Sequence, residues 1–424
     1  MHFLLLAIAI LLPCWYGYYR SVSRGMVEIN HVTTFTFGFL FYWITPLAVR
    51  IGASKVSFPL APEWLAFFRE RLITPYALSC ILLYCCFMLG DSLASSRFLP
   101  GKAERRTHVP RLVLSVVVLF GCGLMIYSVI ALRADLFRPA TPTDLRVGAA
   151  RGAVTACIIL FACVALIHTI DRPRPTWKKL LSAWYFLPLI AGSTLMIFLG
   201  SRLYVASILV MFAIYQTSFR RKFKLKVVLV AVLLFAFLFG VVGTWREGSS
   251  ASSAFFNVFL EPMEGSLSLV HHLRYKGIAW INWPSELISD FQNLVPTVLM
   301  PEKYKSLRKP DAFRPLGGLH SFVSFNLNFG LIGTAVFWLL WPMLFRYCRS
   351  RASSTLFATI YVMCSGWLTF TFFRDPFSIS LVKAIFEDSI LIPLVIIGFG
   401  RLLSAACLPV DARSAPLPPQ PEVA

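Results

Sequence analysis

Residues 112–132 read LVLSVVVLFGCGLMIYSVIAL, a run without a single charge, closed by Arg111 before it and Arg133 after it. At about 1.5 Å of rise per residue, a helix of this length covers about 30 Å, the thickness of a bilayer's hydrocarbon layer. Inside that layer a lone segment satisfies its backbone only by being helical. Comparable stretches recur on both sides, at about 3–19, 33–49, 75–90, 152–170, 181–199, 203–218, 227–243, 321–345, 353–373 and 379–400, making about eleven in all. The expected fold is therefore all-α: a polytopic integral membrane protein with one membrane domain over residues 1–408. A tail over 409–424, rich in proline, is expected to be disordered and cytoplasmic.

Composition agrees with that reading. The 424 residues are 57% hydrophobic and 14% charged, whereas soluble domains carry about 25% charged residues. The first apolar stretch has no Lys or Arg ahead of it and no small-residue cleavage site, so it reads as a retained span rather than a removed signal peptide.

The formal net charge of +20 would suggest nucleic acid as the partner of a soluble chain. Here its distribution gives it another meaning. Lys and Arg gather in alternate short loops: Arg97 to Arg111, Arg172 to Lys179, Arg220 to Lys226 and Arg346 to Arg351. Such loops stay in the cytoplasm. The internal segments hold about 21 of the 40 Lys and Arg and about 6 of the 20 Asp and Glu, so most of the excess charge is an orientation signal. Nucleic acid drops out as a partner, and the lipid bilayer takes its place. The N-terminus falls outside, the C-terminus inside, and residues 244–319 form one large external loop.

Several activities are excluded by this layout. The longest internal connection, about 91–111, is too short for a nucleotide-binding domain, and neither GxxxxGK[ST] nor GxGxxG occurs. No cofactor is expected. The ten cysteines fall in spans or internal segments, which suits small buried apolar residues rather than disulfides. His271 and His272 are adjacent and point about 100° apart on a helix, so they do not form a metal pair. The first external loop, with Glu63 and Glu70, has no paired acidic site for a metal.

The external arginines are the candidates for chemistry. Arg246, followed by Glu247, sits where the span ending at about 243 leaves the membrane, and Arg202 lies in a short turn between two spans. Arg151, Arg314 and Arg374 are external as well. A guanidinium matches phosphate oxygens bidentately, so together these residues suit a pyrophosphate or an acidic sugar. His320 stands at the entry of the span 321–345, where an imidazole exchanges protons near neutral pH. Within the large loop, Met263, Leu267, Val270 and Leu273 recur at helical spacing, predicting an amphipathic helix from Pro262 to about Lys276, with Pro262 as its first residue. Trp280 and Trp283 follow and suit the membrane interface. In the last span Lys383 and Glu387, four apart, are expected to pair. Asp388 is then left as an intramembrane carboxylate without an assigned role.

Several local patterns, in order, resemble the Wzy-type O-antigen polymerases, or oligosaccharide repeat-unit polymerases. They are Leu199-Gly200-Ser201-Arg202 at a span end, Trp245-Arg246-Glu247-Gly248 opening the long loop, and Pro296 and Pro301 within it. Gly318-Leu319-His320-Ser321 then leads through Asn328-Phe329-Gly330-Leu331-Ile332-Gly333, and Phe373-Arg374 comes near the end. The match covers about residues 200–375. In the family's pattern an acidic residue often precedes the Phe-Gly of the fourth block, where this chain has Asn328.

The resemblance implies a metal-independent inverting glycosyltransferase in the bacterial inner membrane. It would pass a growing glycan from undecaprenyl pyrophosphate to a new lipid-linked repeat unit on the periplasmic face, in O-antigen, capsule or exopolysaccharide synthesis. Its substrate would be an undecaprenyl-pyrophosphate-linked oligosaccharide, and a chain-length-regulating membrane protein is an expected partner. Arg202, Arg314, Arg374 and Arg151 would bind substrate, Arg246 would hold the pyrophosphate, and His320 or Glu247 would act as base. An O-antigen ligase shares donor and topology, and a transporter or flippase of lipid-linked oligosaccharide is the alternative of another class.

Overall fold

A computed structural model describes residues 1–53, 62–98, 109–132, 145–171, 184–198, 202–234, 240, 254–284, 287, 288, 291 and 319–407. The helices in chain order are α1 (His2–Ser21), α2 (His31–Gly52), α3 (Pro62–Phe67), α4 (Glu70–Arg97), α5 (Arg111–Leu132), α6 (Leu145–Asp171), α7 (Phe186–Phe198), α8 (Arg202–Phe219) and α9 (Leu225–Leu234). They continue with α10 (Ala254–Tyr275), α11 (Ser321–Ser350), α12 (Thr355–Trp367), α13 (Thr371–Arg374), a π-helix (Ser378–Leu391) and α14 (Ile392–Cys407). Among the described residues, seven helices are long and apolar enough to cross a membrane: α1, α2, α4, α5, α6, α8 and α11. Shorter apolar helices lie in α7, α9 and α12. The chain is thus a helical protein of membrane-spanning composition, as its apolar runs predict.

Local sequence explains where helices begin. Asn30 caps α2: its side chain accepts from the Val32 and Thr33 amides, while Thr33 Oγ1 accepts from the Asn30 amide. Each bond occupies an amide that has no partner within the first turn. A π turn at Leu40–Ile44 interrupts α2 and keeps Tyr42, Trp43 and Ile44 buried.

Packing centres on aromatic side chains where α2, α4, α11 and α13 meet. Phe35 stacks on Phe87 at 3.7 Å, Trp338 lies 5.0 Å from Phe35 and from Trp43, and Phe373 lies 5.0 Å from Phe35. Lipid tails are as apolar as these rings, so burial from water does not hold helices together here. Van der Waals fit and interhelical hydrogen bonds do that work.

At one end of the bundle a small antiparallel sheet pairs Val22–Ser23 (β1) with Met26–Val27 (β2), and β2 with Phe223–Lys224 (β3). Glu28 beside it binds Arg349 and reaches Lys222 at 3.5 Å. The basic connections after α1, α8 and α11 therefore share an end, which also holds Arg20 and Arg346.

Two expectations are corrected. The helix of the large loop begins at Ala254, eight residues earlier than predicted, and Pro262 lies inside it. Pro262 and Met263 are buried under neighbouring elements, and Trp64 Nε1 donates to the Met263 carbonyl at 3.1 Å. The predicted face is the packed one: Met263 and Val270 are buried, and Leu267 and Leu273 partly so. Secondly, Lys383 and Glu387, both on the π-helix Ser378–Leu391, form no ion pair.

Candidate functional site

The end opposite the basic connections gathers the described candidates. His320 is the N-cap of α11 and is 2% exposed. Its amide donates to Ser268 Oγ of α10 at 2.8 Å, and its Nδ1 accepts from the Phe322 amide at 3.3 Å. With the Nδ1 lone pair so engaged, the neutral ring carries its proton on Nε2. Nε2 faces Tyr76 Oη at 3.5 Å, and that hydroxyl donates to the Trp43 carbonyl at 2.9 Å. The imidazole stacks on Trp43 at 4.4 Å. Burial, which disfavours the charged ring, holds its pKa well below the usual 6.5.

Arg374 is tied to this point by backbone, the Leu319 amide donating to its carbonyl at 2.8 Å. Its guanidinium is 27% exposed and lies 3.7 Å from Asp375. Arg202 opens α8, and two residues later Tyr204 lies within electrostatic reach of Arg374, Asp375 and Asp388, with its ring 5.7 Å from Trp367. The two arginines, 172 positions apart by their numbers, thus stand at the same end of the bundle, with Tyr204 near Arg374. α6 adds its first turns to the same end, since Thr155 meets Met196 of α7 at 3.8 Å. Arg151 lies one turn before Thr155 in α6, and its side chain lies outside the described residues.

The block from Asn328 to Gly333 acts as an anchor. At Gly330 α11 breaks, with φ +66° and ψ −175°, a conformation open essentially to glycine alone. Into the break comes the chain after α10: Leu331 and Ile332 donate to the carbonyls of Ala279 and Trp280 at 2.8 and 3.1 Å. A Cβ on Gly330 would sit 2.5 Å from the Trp280 carbonyl oxygen. Asn326 Oδ1 takes His272 Nε2 at 3.0 Å and the Ala279 amide, while Asn282 Nδ2 donates to the Asn326 carbonyl. Asn328 accepts from the Leu287 amide and donates to the Ser324 carbonyl, both at 2.8 Å. A carboxylate at 328 could make the first bond only, so asparagine is the residue that serves both. Trp280 and Trp283 are held out from the protein, 68% and 76% exposed.

Sequence reasoning did not single out Asp375, Tyr204 or Ser268, nor the ionic hub at the other end. There Asp91, with no exposed side-chain surface, accepts from Tyr16 Oη at 2.7 Å, Arg20 Nε at 2.9 Å and Arg346 on both oxygens, with His31 Nε2 at 3.0 Å. One signal was legible: Asp91 is a carboxylate at the end of an apolar span, a placement that demands partners.

Arg246, Glu247 and Arg314 lie outside the described residues, as do Pro296 and Pro301. Among the described residues no three His, Cys, Asp or Glu side chains gather as a metal site. No protein-family model, no curated protein and no solved structure matches the chain.

Proposed function

We propose that the chain is an inner-membrane polysaccharide polymerase, a glycosyltransferase that moves a growing glycan from undecaprenyl pyrophosphate onto a new lipid-linked repeat unit at the periplasmic face. One observation carries the reading. Arg202 at the start of α8 and Arg374 beside the entry of α11 both stand at the end opposite the basic connections, a corner in which Tyr204, two residues after Arg202, is within electrostatic reach of Arg374. The basic end is cytoplasmic by its Lys and Arg content. The corner is then periplasmic, with the N-terminus outside, the C-terminus inside, about eleven spans, and residues 244–319 as an external loop.

The chemistry suits that corner. Cleaving a glycosyl pyrophosphate bond puts charge on the leaving phosphate, and guanidinium groups fixed in a dry site stabilise it without a divalent ion. We assign this role to Arg202, Arg374 and Arg246, with Arg314 and Arg151 as further arginines that bind substrate. Of the two candidate bases, Glu247 is preferred over His320. The free lone pair of the His320 ring already caps α11, so accepting a proton there would break the cap. A chain-length-regulating membrane protein is the partner this activity implies.

The test is reconstitution. Purified protein in liposomes with a lipid-linked repeat unit and a chelator should give a ladder of products. No product under any metal condition, with a substrate competent for other enzymes, would favour a transporter. A deletion strain that accumulates long carrier-linked polymer would make the protein an O-antigen ligase.

A further inference from the structure

Beyond the arginine corner, one carboxyl group is left unused by the proposed transfer. Asp388 is 2% exposed inside the π-helix, and the described residues give its carboxyl group no hydrogen bond and no ion pair. Its neighbours come from every side. On its own helix Lys383 and Glu387 lie within electrostatic reach, α6 brings the buried Cys163, and α8 brings Tyr204. From α12, the Cys364 thiol meets the hydroxyl of Ser389, the next residue in the chain. Arg374 and Asp375 stand one step further, on the far side of Tyr204.

Independently of Asp388, the same junction holds hydroxyl groups with nothing to bind. Ser207 Oγ on α8, Ser365 Oγ on α12 and Thr369 Oγ1 just beyond α12 are buried without a hydrogen-bond partner, and Ser207 and Ser365 are 0% exposed. Contacts pack the helices that carry Ser207 and Ser365 against each other and against the π-helix. Ser207 follows Tyr204 by three residues and shares its helix face. Gly366 packs on the Ser207 carbonyl so closely that a Cβ would stand 3.2 Å from its oxygen. Ser365 lies between Gly366 and Cys364, the residues that touch α8 and the π-helix.

A carboxylate in a membrane interior needs a cation or a proton, and residues of this kind mark proton or ion paths. The π-helix is consistent with such a use, since that geometry concentrates at functional sites. No cation of the described chain is within bonding distance of Asp388, which favours the proton. We propose that Asp388 is a proton-exchange site in the membrane interior, its carboxyl group passing one proton to and from water that enters along the Tyr204, Ser207 and Ser365 hydroxyls. Release leaves a carboxylate facing the Lys383 ammonium, and the proton leaves as hydronium, so charge balances without another reactant. This site stands apart from the glycan transfer and does not depend on it.

Dicyclohexylcarbodiimide tests the proposal, because it is apolar and forms a stable N-acylurea only with protonated carboxyl groups. The full-length protein in detergent is treated, cut with trypsin, and the peptide Ala384–Arg401 is sequenced by mass spectrometry. The adduct is expected on Asp388, retained in Glu387→Gln and absent in Asp388→Asn. Labelling should fall about tenfold per pH unit above the pH at which Asp388 ionises. Because the wild-type protein gives the main readout, a variant that fails to fold does not blur it. Absence of the adduct between about pH 5 and 9 would overturn the proposal. So would labelling suppressed by sodium but not by choline at equal ionic strength, which would mean that a metal cation occupies the carboxylate.

Discussion

Arg346 grips Asp91 with both arms of its guanidinium, Nε lying 2.5 Å from one carboxylate oxygen and Nη2 2.9 Å from the other, although 255 positions separate the two residues. Tyr16, Arg20 and His31 close on the same carboxylate, so α1, α2, α4 and α11 meet at one buried charge.

Removing that charge should unlatch the basic end of the bundle. Asp91→Asn leaves Arg20 and Arg346 facing each other without compensation, and breaking such a buried pair costs about 3–5 kcal/mol. The expected outcome is a lower thermal midpoint of the purified protein and a broader elution profile. Asp91→Leu combined with Arg346→Met should recover part of the loss, because it removes both desolvation penalties together. A midpoint unchanged in Asp91→Asn would show that the hub carries no stability.

At the opposite end, the prediction concerns chemistry rather than folding. If Arg202 and Arg374 hold the pyrophosphate, Arg374→Ala and Arg202→Ala should each cut polymer formation by about 10²–10³, the usual loss on removing one donor to a developing charge. Lysine in either place should retain only part of the activity, since it keeps the charge and loses the fork. Product ladders from reconstituted protein, at matched protein levels, measure this. Full activity in both alanine variants would remove the corner from the mechanism.

Gly330→Ala should disturb the anchor without touching either end. The φ of +66° costs an alanine about 1–3 kcal/mol, and its Cβ would press on the Trp280 carbonyl. Hydrogen exchange should therefore speed up at Leu331 and Ile332, whose amides bind the carbonyls of residues 279 and 280, while α4 exchanges as before. Unaltered protection at those two amides would count against the anchor.

Acid should weaken the end opposite the basic connections through its histidines. His272 and His320 are buried and their pKa values are lowered from 6.5, so folding favours the neutral rings. The stability this provides is complete above about pH 6.5 and is lost as pH falls toward the lowered values, because the unfolded chain then binds protons that the folded chain refuses. The thermal midpoint should drop between about pH 6.5 and 5, with a shallower slope in His272→Gln. Glutamine can still donate to Asn326 Oδ1 and does not titrate. An identical slope in the variant would show that other groups govern the acid response.

Much of the architecture was readable from the chain. An uncharged run such as 112–132 admits only a helix across a bilayer, so the class of fold follows from hydropathy and backbone satisfaction without any tertiary contact. The apolar stripe of α10 was equally legible, because periodicity survives a wrong start. Its first turns were missed because Pro262 is a good first helical residue, and nothing in the sequence says that the helix already exists before it. The π-helix over 378–391 was not legible either, because a run of apolar residues says how long a helix is and not how its backbone bonds are spaced.

The candidate site divides along the same line. His320, Arg202 and Arg374 were each nameable from their place at a span end, yet their roles were not, because a role depends on neighbours. Only the folded chain reveals that the ring of His320 is spent on capping α11, and that Tyr204, beside Arg202, comes near Arg374. It also reveals that Asn328 serves as donor and acceptor to two backbones. Local chemistry, meaning apolar length, charge bias and turn residues, acts over a few residues and is written in the sequence. Which distant charges meet is decided by helix packing across hundreds of residues, and Asp91 with Arg346 is the case where that packing alone creates the interaction.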